Sequence, residues 1–243
     1  MSKIKLYILV SFCLISFQSV FAQSLDAILS QHFKVIGQEK LLKVKTITTE
    51  GTLLQAGVTI AIKSFSKRPN KLRVQGTLNK KTFIQAFDGT KAWGINPFAG
   101  QKQPGLLSPA ETRQLSDQAN IDGLLFNYNE KGYTAELLDP QNLGNVLVDV
   151  IKLTKADSSE IIYYLDSETS AVLRSVNSMK ISGIDRQYES IFSNYNYVDG
   201  ILFPFTVTVY TNGQEIMRYN FKKIELDKPV PDFIFDMPQR IEQ

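Results

Sequence analysis

The sequence predicts an α+β protein that is mainly antiparallel β, with one sheet of about ten to eleven strands. Three observations carry this. The run Lys67 to Gly100 packs strand alternation and two turns into one stretch. From Leu124 onward, turn residues recur at Lys131-Gly132, Asn142 to Asn145, Asp157-Ser158, Asp166 to Thr169, Gly183, Asp199-Gly200 and Asn212-Gly213, the spacing of a meander of hairpins. Only two stretches show the spacing of an amphipathic helix.

The first helix runs from Ser24 to Ile36. Leu25, Ile28, Leu29, Phe33 and Ile36 form one apolar stripe, Ser24 suits the N-cap and Gly37 the stop. His32, the sole histidine, lies on that stripe and reads as a half-buried helix histidine, since general acid/base work needs an oriented partner and none is identified. A short turn over Glu39 to Val44 follows. Thr46 to Leu54 and Val58 to Phe65 form an antiparallel pair around Ala56-Gly57.

Lys71 to Leu78 alternates, with Leu72, Val74, Gly76 and Leu78 on one face. After the Asn79-Lys80 turn, Thr82 to Phe87 carries Phe83 and Phe87 on one face and Ile84 and Ala86 on the other, so this strand needs apolar neighbours on both sides. Asp88-Gly89 signals a tight two-residue hairpin into Lys91 to Asn96, which holds the sole tryptophan, Trp93.

Gly100 to Gly105 has loop composition. The second helix starts in a capping box, with Ser108 as N-cap, Pro109 at the first helical position and Glu111 reaching back. Its apolar content, Ala110, Leu115 and Ala119, is thin, which suits an element that lies on a surface and lifts. Ile201 to Val209 places Ile201, Phe203, Phe205, Val207 and Val209 on one face, and Met217, Tyr219 and Phe221 answer across Asn212-Gly213. Pro204 in that strand marks an edge or a bulge.

The N-terminus reads as a secretory signal. Lys3 and Lys5 precede the apolar run Leu6 to Phe17, and Val20-Phe21-Ala22 places cleavage after Ala22, so residues 1–22 are removed and 23–243 form one domain. Cys13, the sole cysteine, sits mid-run behind the bulky Phe12, which predicts a soluble exported protein with neither lipid anchor nor disulfide. Cleavage removes two of the 27 basic residues against 24 acidic ones, leaving a net charge of +1. So balanced a charge argues against nucleic acid. The chain has no P-loop, no G-x-G-x-x-G, no G-x-S-x-G and no His/Cys metal spacing. Asp88, Asp166 and Asp199 sit at turns, and Tyr163, Tyr164, Tyr188, Tyr195 and Tyr197 read as strand aromatics. No residue is nominated for catalysis, no cofactor is expected, and the protein reads as a non-enzyme.

The ordered set Lys67, Arg68, Pro69, Asn70, Asp88, Gly89, Lys91, Trp93, Asn96, Pro97 and Phe98 resembles the signature of the LolA-like periplasmic lipoprotein carriers. PDFIFDMP near the C-terminus is similar to that family's closing segment. The resemblance implies an incomplete, half β-barrel covered by a lid of helices. It also implies a periplasmic location and the task of shielding the acyl chains of lipoproteins, or another lipid, on their way to the outer membrane. An inner-membrane donor complex, an outer-membrane acceptor and a monomeric state come with it.

On that reading Ile60, Ile62, Leu72, Val74, Phe83, Phe87, Trp93, Phe203, Phe205 and Val207 line the lipid cavity. Arg68 matches the family arginine that latches the sheet to the lid, and a planar fork of donors suits helix-end carbonyls. The alternative is a half-barrel sensor or binding module for lipoproteins or an envelope protein, without transport. The chain is longer after the second helix than the family pattern, and the tyrosine-rich segment around Tyr195 has no counterpart there.

Overall fold

The computed structural model describes residues 24–181 and 184–238, with the side chains of 179–181 and 184–186 left aside. The signal segment 1–22, Cys13 and the Gly183 turn lie outside the described residues. Helices α1 (Leu25–Ile36) and α2 (Gln38–Leu41) precede β1 (Thr46–Gln55), β2 (Val58–Lys67), β3 (Lys71–Leu78), β4 (Lys81–Phe87), β5 (Ala92–Ile95) and β6 (Gly105–Leu106). Helix α3 (Pro109–Ala119) leads to β7 (Thr134–Leu143), β8 (Val146–Thr154), β9 (Glu160–Asp166), β10 (Val172–Ile181), β11 (Ile184–Val198), β12 (Ile201–Thr211) and β13 (Gln214–Leu226). The strands form one antiparallel sheet in the order β6-β5-β4-β3-β2-β1-β13-β12-β11-β10-β9-β8-β7, left open between β6 and β7.

Among the described residues thirteen strands stand where the sequence predicts ten to eleven. The two-residue β6, inside a stretch with loop composition, is one reason. Other local differences have equally simple causes. Leu124 to Phe126 is not a strand: Leu125 is buried against α1, and β7 begins ten residues after Leu124. The Asp88-Gly89 hairpin is wider than two residues, because the Asp88 carboxylate accepts from the amides of Thr90 and Lys91, both at 2.8 Å, before β5 starts. Pro204 lies in an inner strand, but pairing of β12 with β13 begins only at Thr206, so at Pro204 the strand has a ladder only toward β11 and needs no second amide.

Among the described residues the three α-helices lie on one face of the sheet. Ser24 accepts from the Ala27 amide, and Gly37 closes α1 in the left-handed region at φ 74° while standing so close to Gly200 that any Cβ would strike its carbonyl. Ile28 and Leu29 of α1 pack on Ile151, Leu153 and Leu165 of β8 and β9, all three without exposed surface. Leu115 and Ala119 of α3 pack on Leu72, Phe87 and Ala92 of β3 to β5. The capping box predicted for α3 is formed in full.

Helix α3 also fixes how strongly the sheet bends. Asp117 pairs with Lys155 at 2.7 Å and Arg113 with Asp157 at 3.5 Å, so α3 touches the β8–β9 turn as well as β3 to β5. In sheet order β5 and β9 are nine steps apart, which a flat sheet would spread over about 43 Å. One helix of 11 residues reaches both sides only because the sheet is strongly curved.

Candidate functional site: an apolar wall and its latch

The helix-bearing face is covered unevenly. Leu53, Ile60 and Ile62 are buried in a cluster completed by Leu78, Phe83, Met217, Tyr219 and Phe221, and no helix contributes to it. Curvature brings these side chains from β1, β2, β3, β4 and β13 over one another. The Phe83 ring lies where a Cβ on its partner Gly76 would stand, so the aromatic lies flat along the wall. Val207 faces Tyr219 across the β12–β13 ladder, and Phe205, two residues before it, shares its face; both are half-buried.

The ten residues expected to line a cavity separate by position. Ile60, Ile62 and Phe83 belong to the helix-free cluster, and Phe205 and Val207 extend it along β12. Leu72, Val74 and Phe87 lie beneath α3. Phe203 joins Leu41 and Val44, under the end of α2. Trp93 is a correction, because it does not share this wall. It pairs with Ala86, one residue from the wall-side Phe87, and is therefore on the opposite face, where its indole donates to the Phe235 carbonyl at 2.7 Å. The closing segment Val230 to Phe235 covers it, and it is 1% exposed. Strand β4 thus has an apolar neighbour on each side, Phe87 facing α3 and Ala86 facing away.

Leu53, Leu78, Met217, Tyr219 and Phe221 complete the wall and were not nominated from sequence. For β13 the signal was present in the alternation across Asn212-Gly213. For Leu53 it was not, since Leu53 and Leu54 are adjacent in a threonine-rich strand and either face is open to it. The Tyr219 hydroxyl donates only to the Met217 sulfur at 3.6 Å, a weak acceptor, and burial raises its pKa. It is a polar group with spare capacity in an apolar wall.

Arg68, at the end of β2, gathers three elements. Its Nε donates to the Val44 carbonyl at 2.6 Å and its Nη2 to the Leu41 carbonyl, at the end of α2, at 2.9 Å. Both terminal nitrogens fork onto the Asp122 carboxylate just after α3, Nη1 at 2.7 Å. The Asp122 bond pushes the guanidinium pKa further up. The chain that links α3 to the second half of the sheet is thereby tied to the first half.

His32 is buried, and its Nδ1 meets the Ser170 carbonyl at 2.8 Å; burial lowers its pKa. Among the described residues no group of three or more His, Cys, Asp or Glu side chains could hold a metal, and no helix is long and apolar enough to cross a membrane. Two open surface cavities are present among the described residues. One of about 480 Å³ is polar, between α3, the β8–β9 turn and β10. The other, of about 510 Å³, opens on the face away from the helices. Neither is an enclosed chamber behind the helices.

No family model matches the sequence, and no curated protein matches it either. Solved structures do. A LolA superfamily protein from Nitrosomonas europaea superposes with a TM-score of 0.60 at 15% identity, covering 87% of this chain and 96% of that one. A DUF1329 family protein from Desulfovibrio piger gives 0.61 at 12% identity, over 86% and 97%. A domain described as an outer membrane lipoprotein-sorting protein, from Vibrio parahaemolyticus, gives 0.55 at 14%, over 83% and 94%. The chain therefore has a LolA-like fold.

Proposed function

We propose that the protein is a periplasmic, monomeric and non-enzymatic carrier that shields the acyl chains of lipoproteins, or of another lipid, during transfer to the outer membrane. The curved sheet serves as a half-barrel and α3 as its lid. The observation that carries this reading is the helix-free wall of Leu53, Ile60, Ile62, Phe83, Tyr219 and Phe221, with Phe205 and Val207 beside it. Each methylene laid against such a wall gains about 0.8 kcal/mol. A wall open along one side holds a chain without burying it completely, as delivery requires. Arg68 sets the resting position of the lid, and the Tyr219 hydroxyl supplies a donor to an ester carbonyl. An inner-membrane donor and an outer-membrane acceptor load and unload it.

The test is native mass spectrometry of the protein purified from its own host, together with titration of a fluorescent fatty-acyl probe. A lipid-sized adduct and saturable probe binding are expected. A bare mature mass with no probe uptake overturns the proposal.

A further inference from the structure

The face of the sheet away from the helices carries a second site. Of the arginines whose side chains are described, Arg68, Arg113, Arg174 and Arg218 each pair with a carboxylate, to Asp122, Asp157, Glu189 and Glu215. Arg73 pairs with none. Its Nε donates to the Gln75 side-chain oxygen at 3.1 Å and its Nη1 to the Ile234 carbonyl at 2.8 Å, both neutral acceptors, and its Cζ lies 5.9 Å from the centroid of the Trp93 ring. Burial lowers the Arg73 pKa with no opposing contribution from a neighbouring carboxylate. A half-buried cation without a counter-charge is costly to keep.

Arg73 lines the cavity of about 510 Å³, with Phe65, Phe233, Ile234, Met237 and Pro238 as its apolar wall and Gln75 and Asp236 at its polar side. That volume falls within the range of small-ligand sites. Phe233 is 72% and Met237 44% exposed, so apolar surface remains open at the cavity. Lys67 and Lys71, also on this face, are already occupied by Asp232.

We propose that this cavity binds a free carboxylate with a short apolar body, a medium-chain fatty acid in chemical class, its head group on the unused N–H donors of Arg73 and its chain against Phe65, Phe233 and Met237. The fork of a guanidinium matches a carboxylate. The site is independent of the wall on the other face, which takes chains whose carboxyl is esterified or amidated.

Isothermal titration calorimetry of the mature full-length chain with octanoate and with octan-1-ol tests it, since the two differ only in the head group. Octanoate is expected to bind saturably at one site and octanol at least about tenfold more weakly, the difference a charge-assisted bond makes. Arg73→Gln is expected to erase the preference for octanoate. Arg73 also holds the Ile234 carbonyl, so Phe233→Ser provides a variant that leaves the fold intact: it is expected to weaken octanoate several-fold with an unchanged melting temperature. Equal affinity for the two ligands, or octanoate binding untouched by both substitutions, overturns the proposal. Phe205→Ser, on the opposite face, is expected to leave octanoate unaffected while reducing acyl-probe binding, so failure of the carrier reading and failure of this one are distinguishable.

Discussion

The two sides of the sheet bury apolar residues in different ways. Around β8 and β9, Ile151 and Leu153 lie beneath α1 while Val148 and Val150, on the other face, form their own cluster with Tyr164 and Val176; all four have no exposed surface. Beyond the reach of α2, along β12, β13, β1 and β2, the apolar side chains meet only other strand residues, and Phe205, Val207, Tyr219 and Phe221 remain half-buried. The first region is a closed core. The second is a wall with one side left open, although strand alternation is equally apolar in both. The difference comes from where the helices lie: α1 covers β8 and β9, α2 covers the start of β12, α3 covers β3 to β5, and the stretches of strand between these footprints lie open.

The contrast is tested most severely by truncation on each side. Leu153→Ala is expected to cost about 2–5 kcal/mol in chemical denaturation, because the removed atoms leave a void that α1 and β9 cannot fill. Phe205→Ser is expected to cost less than about 1 kcal/mol while lowering acyl-probe affinity several-fold. If Phe205 proves as costly as Leu153, the wall is ordinary core and the comparison fails.

A smaller effect falls on the Arg68–Asp122 pair. Arg68→Leu leaves Asp122, three-quarters or more buried, without its partner, and an expected loss of about 1–3 kcal/mol follows. Stopped-flow release of a bound acyl probe is expected to quicken in the same variant. Unchanged release kinetics would remove Arg68 from gating and leave it a purely structural tie.

The smallest effect is a pH dependence in the closed region. Burial lowers the His32 pKa below its ordinary 6.5, so the unfolded chain takes up the proton first as pH falls. The stability contributed by neutral His32 is therefore complete above 6.5 and is lost as pH drops through 6.5 toward the folded-state value, by at most about 1.4 kcal/mol per pH unit. His32→Gln is expected to flatten that limb in denaturation curves between pH 7 and pH 5 without altering acyl-probe binding at pH 7.

Much of this was legible in sequence. Period-two alternation placed β2, β3 and β12, and the α3 capping box was visible because its chemistry is local, within Ser108 to Glu111. Arg68 reaches the carbonyl of Leu41, the last residue of α2, and that of Val44 in the turn beyond it, whereas Asp122 is invisible in sequence, lying 54 residues away in a turn without periodicity. The face of Trp93 is not readable from sequence because a four-residue strand is too short for alternation to fix its phase, and because the segment that covers it, Val230 to Phe235, follows eight strands later in the chain. Which apolar faces lie beneath helices and which stay open depends on sheet curvature, a property of pairing across the whole order β6 to β7 and of no single stretch.

The central claim is that hydrocarbon lies along the helix-free wall. Photolabelling with a diacyl lipid that carries a photoactivatable group on its chain and no free carboxyl, followed by peptide mapping, tests it most directly. The account predicts labels on β1, β2, β4, β12 and β13, around Leu53, Ile60, Phe83, Phe205 and Tyr219. Labels confined to β8, β9 and α1, or to the far face around Phe233 and Met237, would contradict it.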